Sequence, residues 1–96
     1  MTTSNELRLL PWTGPDGKLC FLSTDDNDSY MSRLADNTES VQLGMAAELL
    51  DRALDILADA DTEPDDLRLL AKDLTGALRD TLRVATSRGR RLATHE

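Results

Sequence analysis

The sequence predicts a small α+β domain, mainly α: a short N-terminal β-hairpin followed by a long antiparallel pair of helices that dimerises into a four-helix arrangement. Three observations predict it. The stretch Val41 to Leu57 carries apolar side chains on two separate helical faces. Pro64, set among acidic residues, restarts a helix almost as soon as the first one ends. Gly14-Pro15-Asp16-Gly17 separates two short apolar runs near the N-terminus. With 96 residues the chain fits a single domain, 1–96, and a chain this short buries a limited fraction of its surface when it folds alone. Association would add burial.

The hairpin is expected over 6–23. Glu6 to Trp12 places Leu7 and Leu9 on one side of an extended chain and Arg8, Leu10 and Trp12 on the other, with Pro11 marking an edge or a strand end. Thr13 to Gly17 is a turn, because proline fixes one dihedral and glycine admits positive φ. Lys18 to Ser23 is the second strand. Two strands alone are marginal in water, so the hairpin must lie on the helices or pair with another copy.

An acidic loop, 24–31, leads to the helices. Asp25, Asn27 and Ser29 have the alternating spacing of a calcium loop. The glycine for the sharp turn is missing, however, and the twelfth position is Asp36 rather than a bidentate glutamate, so no metal is assigned there. Helix 1 is expected over 32–60, with Ser32 as its N-cap. Helix 2 is expected over 63–88, with Thr62 as cap and Pro64 in the first turn, ending near Gly89. Residues 89–96 follow as a flexible basic tail. The short connection forces the two helices to run antiparallel.

One face of helix 1 reads Val41, Met45, Leu49, Ala53 and Ile56. In an antiparallel pair the numbers of facing residues add to a constant, and this face then meets helix 2 as Ile56 with Leu67, Ala53 with Leu70, Leu49 with Leu74, Met45 with Leu78, Val41 with Leu82, and Thr38 with Ala85. The same register brings Asp55 near Arg68, Asp51 near Lys72 and Glu39 near Arg83. The other face reads Leu43, Ala47, Leu50, Leu54 and Leu57, and helix 2 does not cover it. It is the expected homodimer interface, the alternative being that Leu7, Leu9, Trp12 and Phe21 of the hairpin fold over it within one chain. Gly44 suggests close approach of another backbone.

The chemistry available is thin. His95 is the only histidine and stands next to the C-terminus, so a histidine-centred acid–base mechanism or histidine-ligated metal is not expected. Cys20 is the only cysteine, which excludes an internal disulfide and suits a reducing cytoplasm. Glu48, Asp51, Asp55 and Asp59 share one side of helix 1. Arg68 and Lys72 on helix 2 oppose them and would repel a cation. No phosphate-binding glycine motif, secretory leader or membrane-spanning stretch is present, and no catalytic, cofactor or metal residues are assigned.

The formal charge is −7, with 11 Lys+Arg against 18 Asp+Glu, which argues against bulk attraction to nucleic acid or anionic lipid. The charge is uneven: residues 1–66 carry four basic and fifteen acidic side chains, and residues 67–96 carry seven basic and three acidic. The leading expectation is a non-catalytic cytoplasmic interaction or regulatory (adaptor) protein, homodimeric, whose Trp12 or Arg88, Arg90 and Arg91 contact an unknown protein partner. The alternatives are a nucleic-acid-associated regulator using that arginine cluster, and a small bundle enzyme or ligand-binding protein. Against the first alternative, no aromatic residue interleaves with the arginines to stack on bases.

Overall fold

In the computed structural model the chain forms a two-stranded antiparallel sheet followed by two helices: β1 (Leu7–Thr13), β2 (Leu19–Ser23), α1 (Tyr30–Ala58) and α2 (Pro64–Thr94). The structure describes residues 7–23 and 30–94, the side chains of 90–94 excepted, so most of the acidic loop and its calcium-like positions fall outside the described residues.

The hairpin forms where the turn residues demand it. The Gly17 amide donates to the Gly14 carbonyl (3.0 Å), the Gly14 amide donates to the Lys18 carbonyl (2.9 Å), and Gly17 takes φ 80°, open to a residue without Cβ. Leu9 pairs with Phe21 and Thr13 with Leu19, so β1 uses two more residues than β2 across this interval. Pro11, which has no amide to give the ladder, sits inside that bulge.

Arg8, Leu9, Leu10 and Pro11 are buried in succession, so both faces of β1 are covered. The strand enters edge-on between the helices, on the half of the molecule that holds the start of α1 and the end of α2. Its outward carbonyls are met by helix side chains: Ser87 Oγ donates to Leu9 O (3.0 Å), and Gln42 Nε2 donates to Pro11 O (2.8 Å). The edge that would otherwise recruit another strand is thereby closed.

The helix pair is antiparallel as expected, and its register agrees with expectation at the connection end. Leu49, Ala53 and Leu70 form the buried cluster, with Ile56, Leu74 and Ala77 packed against it. Away from the connection the expected seam is corrected. Val41 (59%), Met45 (64%), Leu78 (60%) and Leu82 (57%) are exposed, while the buried or half-buried row on α1 is Ser32, Ala35, Glu39, Gln42, Ala46, Leu49, Ala53, Ile56. That row alternates steps of three and four residues and stays on one stripe of a helix. The expected row, 41–45–49–53, takes three four-residue steps, each overshooting a turn by about 40°, and rotates off the seam.

Three local expectations are also corrected. Ser32 is not a cap: α1 has begun by Tyr30, and Ser32 is buried, accepting from Arg8 through both its hydroxyl (3.0 Å) and its carbonyl (3.2 Å). Thr62 closes α1 rather than opening α2, its hydroxyl donating to the carbonyl of Ile56 (3.0 Å). The Leu67 amide donates to the Glu63 carbonyl (3.1 Å), which makes Glu63 the cap of α2 and Pro64 its first residue. α2 runs through Gly89 to Thr94, because one glycine among arginines costs about 1 kcal/mol and no proline follows to stop the helix. A Cβ added at Gly44 would meet nothing within 4 Å, so no backbone of the same chain approaches it.

The helix seam is thin, since half of its described positions are Ala, Ser or Gln. Stability should therefore concentrate at its few large side chains. Leu70→Ala is expected to lower the unfolding free energy by about 2–3 kcal/mol in urea titrations, and Met45→Ala by less than about 0.5 kcal/mol. Equal losses would restore the four-residue register.

Candidate interaction surface

The phase of the seam decides what each side of the helix pair displays. On α1 the positions one residue after the seam are Leu43, Leu50 and Leu57; on α2, after Leu70, Ala77 and Val84, they are Ala71, Leu78 and Ala85. In an antiparallel pair these fall on the same side, and the positions one residue before the seam fall on the other. That other side is occupied. β1 lies over part of it, with Arg83 Nη1 donating to Pro11 O (3.4 Å). Beyond the hairpin, two adjoining open clefts of about 410 and 460 Å³ share Arg52 and Asp73 and include Asp55, Leu69 and Gly76 in their walls.

The first side is bare. Ala47, Leu50, Leu54 and Leu57 are exposed there and Leu43 is half-buried, so the structure brings the expected interface residues together on one surface. α2 adds Ala71, together with Leu67, Leu78 and Leu82, which the expected register places in the seam. The face extends about 20 Å along each helix and about 20 Å across the pair, on the order of 400 Å² in projection. A monomer's largest apolar patch is normally of this order and is often functional. The hairpin leaves most of it uncovered: β1 packs mainly on α2 and meets this row of α1 at Asp36, one heptad before the half-buried Leu43, and Leu7 and Phe21 are themselves exposed.

Whole-chain measures agree. The chain exposes 7037 Å², against roughly 5,500 Å² for a compact monomer of this mass. Its radius of gyration is 17.0 Å, against roughly 12.5 Å for a compact domain of this length.

A second feature was not legible beforehand, a buried knot of charge where β1 meets the helices. Arg8, 4% exposed, reaches Asp36 (2.6 Å) and Glu39 (3.5 Å), and Glu39, 1% exposed, also faces Arg88 (3.7 Å). Two cations and two anions balance, with Arg8 and Glu39 buried and Asp36 and Arg88 reaching the surface. Glu39 therefore pairs with Arg8 and Arg88 rather than with Arg83, which turns to Asp80 (3.2 Å). The expected pairs Asp55–Arg68 and Asp51–Lys72 do not form, because each pair's side chains point to opposite flanks of the hairpin of helices.

Of the expected partner-contact residues, Trp12 is half-buried in β1, and Arg88 is half-exposed with its guanidinium directed at Glu39. Arg90 and Arg91 lie in the last turns of α2, and their side chains fall outside the described residues. Cys20 is half-buried on β2. Among the described residues no group of three or more His, Cys, Asp or Glu is disposed to hold a metal ion, and no helix is long and apolar enough to cross a membrane. No family model, curated protein or solved structure matches the chain.

The knot makes Arg8 the side chain whose loss strands the most buried charge. Arg8→Ala is expected to destabilise the fold by about 3–5 kcal/mol in urea titrations, since Glu39 would stay buried without the guanidinium that joins it to β1. Ser87→Ala, which removes one neutral hydrogen bond, should cost about 1 kcal/mol. An Arg8→Ala loss below that of Ser87→Ala would show the knot to be incidental.

Proposed function

We propose that the chain is a small non-catalytic protein–protein interaction protein, of regulatory or adaptor type, that acts as a homodimer joined through the bare face of its helix pair. The observation that carries this reading is the apolar face built jointly by Leu43, Leu50, Leu54 and Leu57 of α1 and Leu67, Leu78 and Leu82 of α2. Its leucines come from two helices and lie at one level, which suits another pair of helices better than a small ligand. The thin internal seam supports the same reading, because a second copy would add the burial that one chain lacks.

In such a dimer the hairpins stay at the half that holds the start of α1 and the end of α2, clear of Leu50, Leu54 and Leu57. Trp12 and Arg88 then sit on the hairpin-bearing halves, displayed twice, as surfaces for a further protein partner. The engagement of Arg88 with Glu39 weighs against a phosphate clamp built from Arg88, Arg90 and Arg91.

Sedimentation equilibrium over a dilution series tests the reading. Wild-type protein is expected to sediment as a dimer. Leu50→Asp should shift it to monomer by at least about 100-fold in dissociation constant while far-ultraviolet circular dichroism keeps its helical signal, since a charge in the interface costs several kcal/mol and Leu50 is exposed within the chain. A wild-type monomer at every concentration would refute it.

A further inference from the structure

The bare face admits two isologous pairings. With the dimer axis along the helices, α1 of one copy lies on α2 of the other. With the axis across the helices, α1 lies on α1 and α2 on α2. Apolar contact alone does not choose between them.

Charge does. The outer flank of α1 beyond the bare face carries Asp51, with Glu48 and Asp55 further round toward the clefts, and the matching flank of α2 carries Arg68 and Arg79, with Lys72 at the edge of a cleft, all exposed. Asp51 stands two residues after Leu49, and Lys72 two residues after Leu70, so both occupy the same row of their helices. They are also level with each other, since Leu49, Ala53, Leu70 and Leu74 meet in the core. Within the chain the two flanks face opposite ways, and among the described residues Asp51, Arg68 and Lys72 form no ion pair. Stacking α1 on α1 would set acidic flank on acidic flank and basic on basic. Stacking α1 on the partner's α2 sets each acidic flank on a basic one, twice per dimer.

We infer that two copies of this chain join as a four-helix bundle in which α1 of each packs antiparallel on α2 of the other. Leu43 lies opposite the partner's Leu78, and Leu57 opposite the partner's Leu67. Asp51 pairs across the rim with the partner's Lys72 and Arg68. The inference rests on the homodimer reading and adds to it a topology, a register and an electrostatic selector. Rim pairs of this kind contribute little to affinity and much to orientation.

Cross-linking in full-length chains carrying Cys20→Ser tests it, with sedimentation equilibrium run beside it. A Leu43→Cys chain mixed with a Leu78→Cys chain, allowed to exchange and then oxidised, is expected to yield disulfide-linked heterodimer, because facing Cα atoms in this register come within disulfide reach. Leu50→Cys alone should yield none, since the two copies of Leu50 lie on diagonal helices. Asp51→Lys and Lys72→Asp should each weaken the dimer about 3- to 30-fold at low salt, and the combined variant should recover most of the loss. Self-cross-linking of Leu50→Cys, or a dimer that never links the Leu43→Cys and Leu78→Cys chains, would overturn this topology and leave the homodimer reading standing. A wild-type monomer would overturn both.

Discussion

The structure depends on a charge taken out of water. Arg8 sits buried on a strand, and its guanidinium reaches Ser32, Asp36 and Glu39 on the first helix. Glu39 in turn faces Arg88 on the second helix, so a single buried network joins all three layers. Burying ions is costly, and such a network seldom outperforms a well-packed apolar core of the same volume. Its contribution is directional: β1 fits the gap between the helices in one depth and one orientation, which apolar residues such as Leu9 and Leu10 alone would not specify.

That orientation settles how far along the helix pair the strand reaches. β1 enters edge-on between the helices, its carbonyls at Leu9 and Pro11 are capped by Ser87 and Gln42, and Arg8 meets Asp36 at the start of the row that continues through Leu43 to Leu57. Leu50, Leu54 and Leu57 lie beyond it along α1 and stay exposed. A chain with a thicker seam could leave that row polar. Here the seam is built from Ala35, Ala46, Ala53 and Ala77 as much as from leucine, and the larger apolar side chains stand outside it. Internal packing and open surface are thus two consequences of one pattern.

Local signals were legible in the sequence and distant ones were not. Pro15 with Gly17 marked the hairpin turn and Pro64 the start of the second helix, because each acts through its own dihedral angles. The row Leu43, Ala47, Leu50, Leu54, Leu57 holds one helical phase through its alternating three- and four-residue steps, and all but Leu43 are exposed in the single chain. The row Val41, Met45, Leu49 drifts, and following it placed Leu67, Leu78 and Leu82 inside the seam instead of on the surface. Arg8 gave no sign of its burial. Its partners lie 24 to 31 positions along the chain, and a charged residue in a short strand ordinarily faces solvent.

Coupling between folding and association follows from the same pattern, if the second copy binds where proposed. The dimer would protect surface that the monomer cannot, so apparent stability would rise with concentration by mass action rather than reflect the fold of one chain. The strand, held by its own charge knot at the other end of the helix pair from Leu57, would contribute little to that gain. The two halves of the molecule would then answer to different variables: the hairpin end to the pairing of Arg8 with Asp36 and Glu39, the bare face to the concentration of the protein itself. A protein of this kind is regulated most directly by its abundance, and a partner recognised at Trp12 and Arg88 would be presented with two sites or with one according to how much of the chain is present.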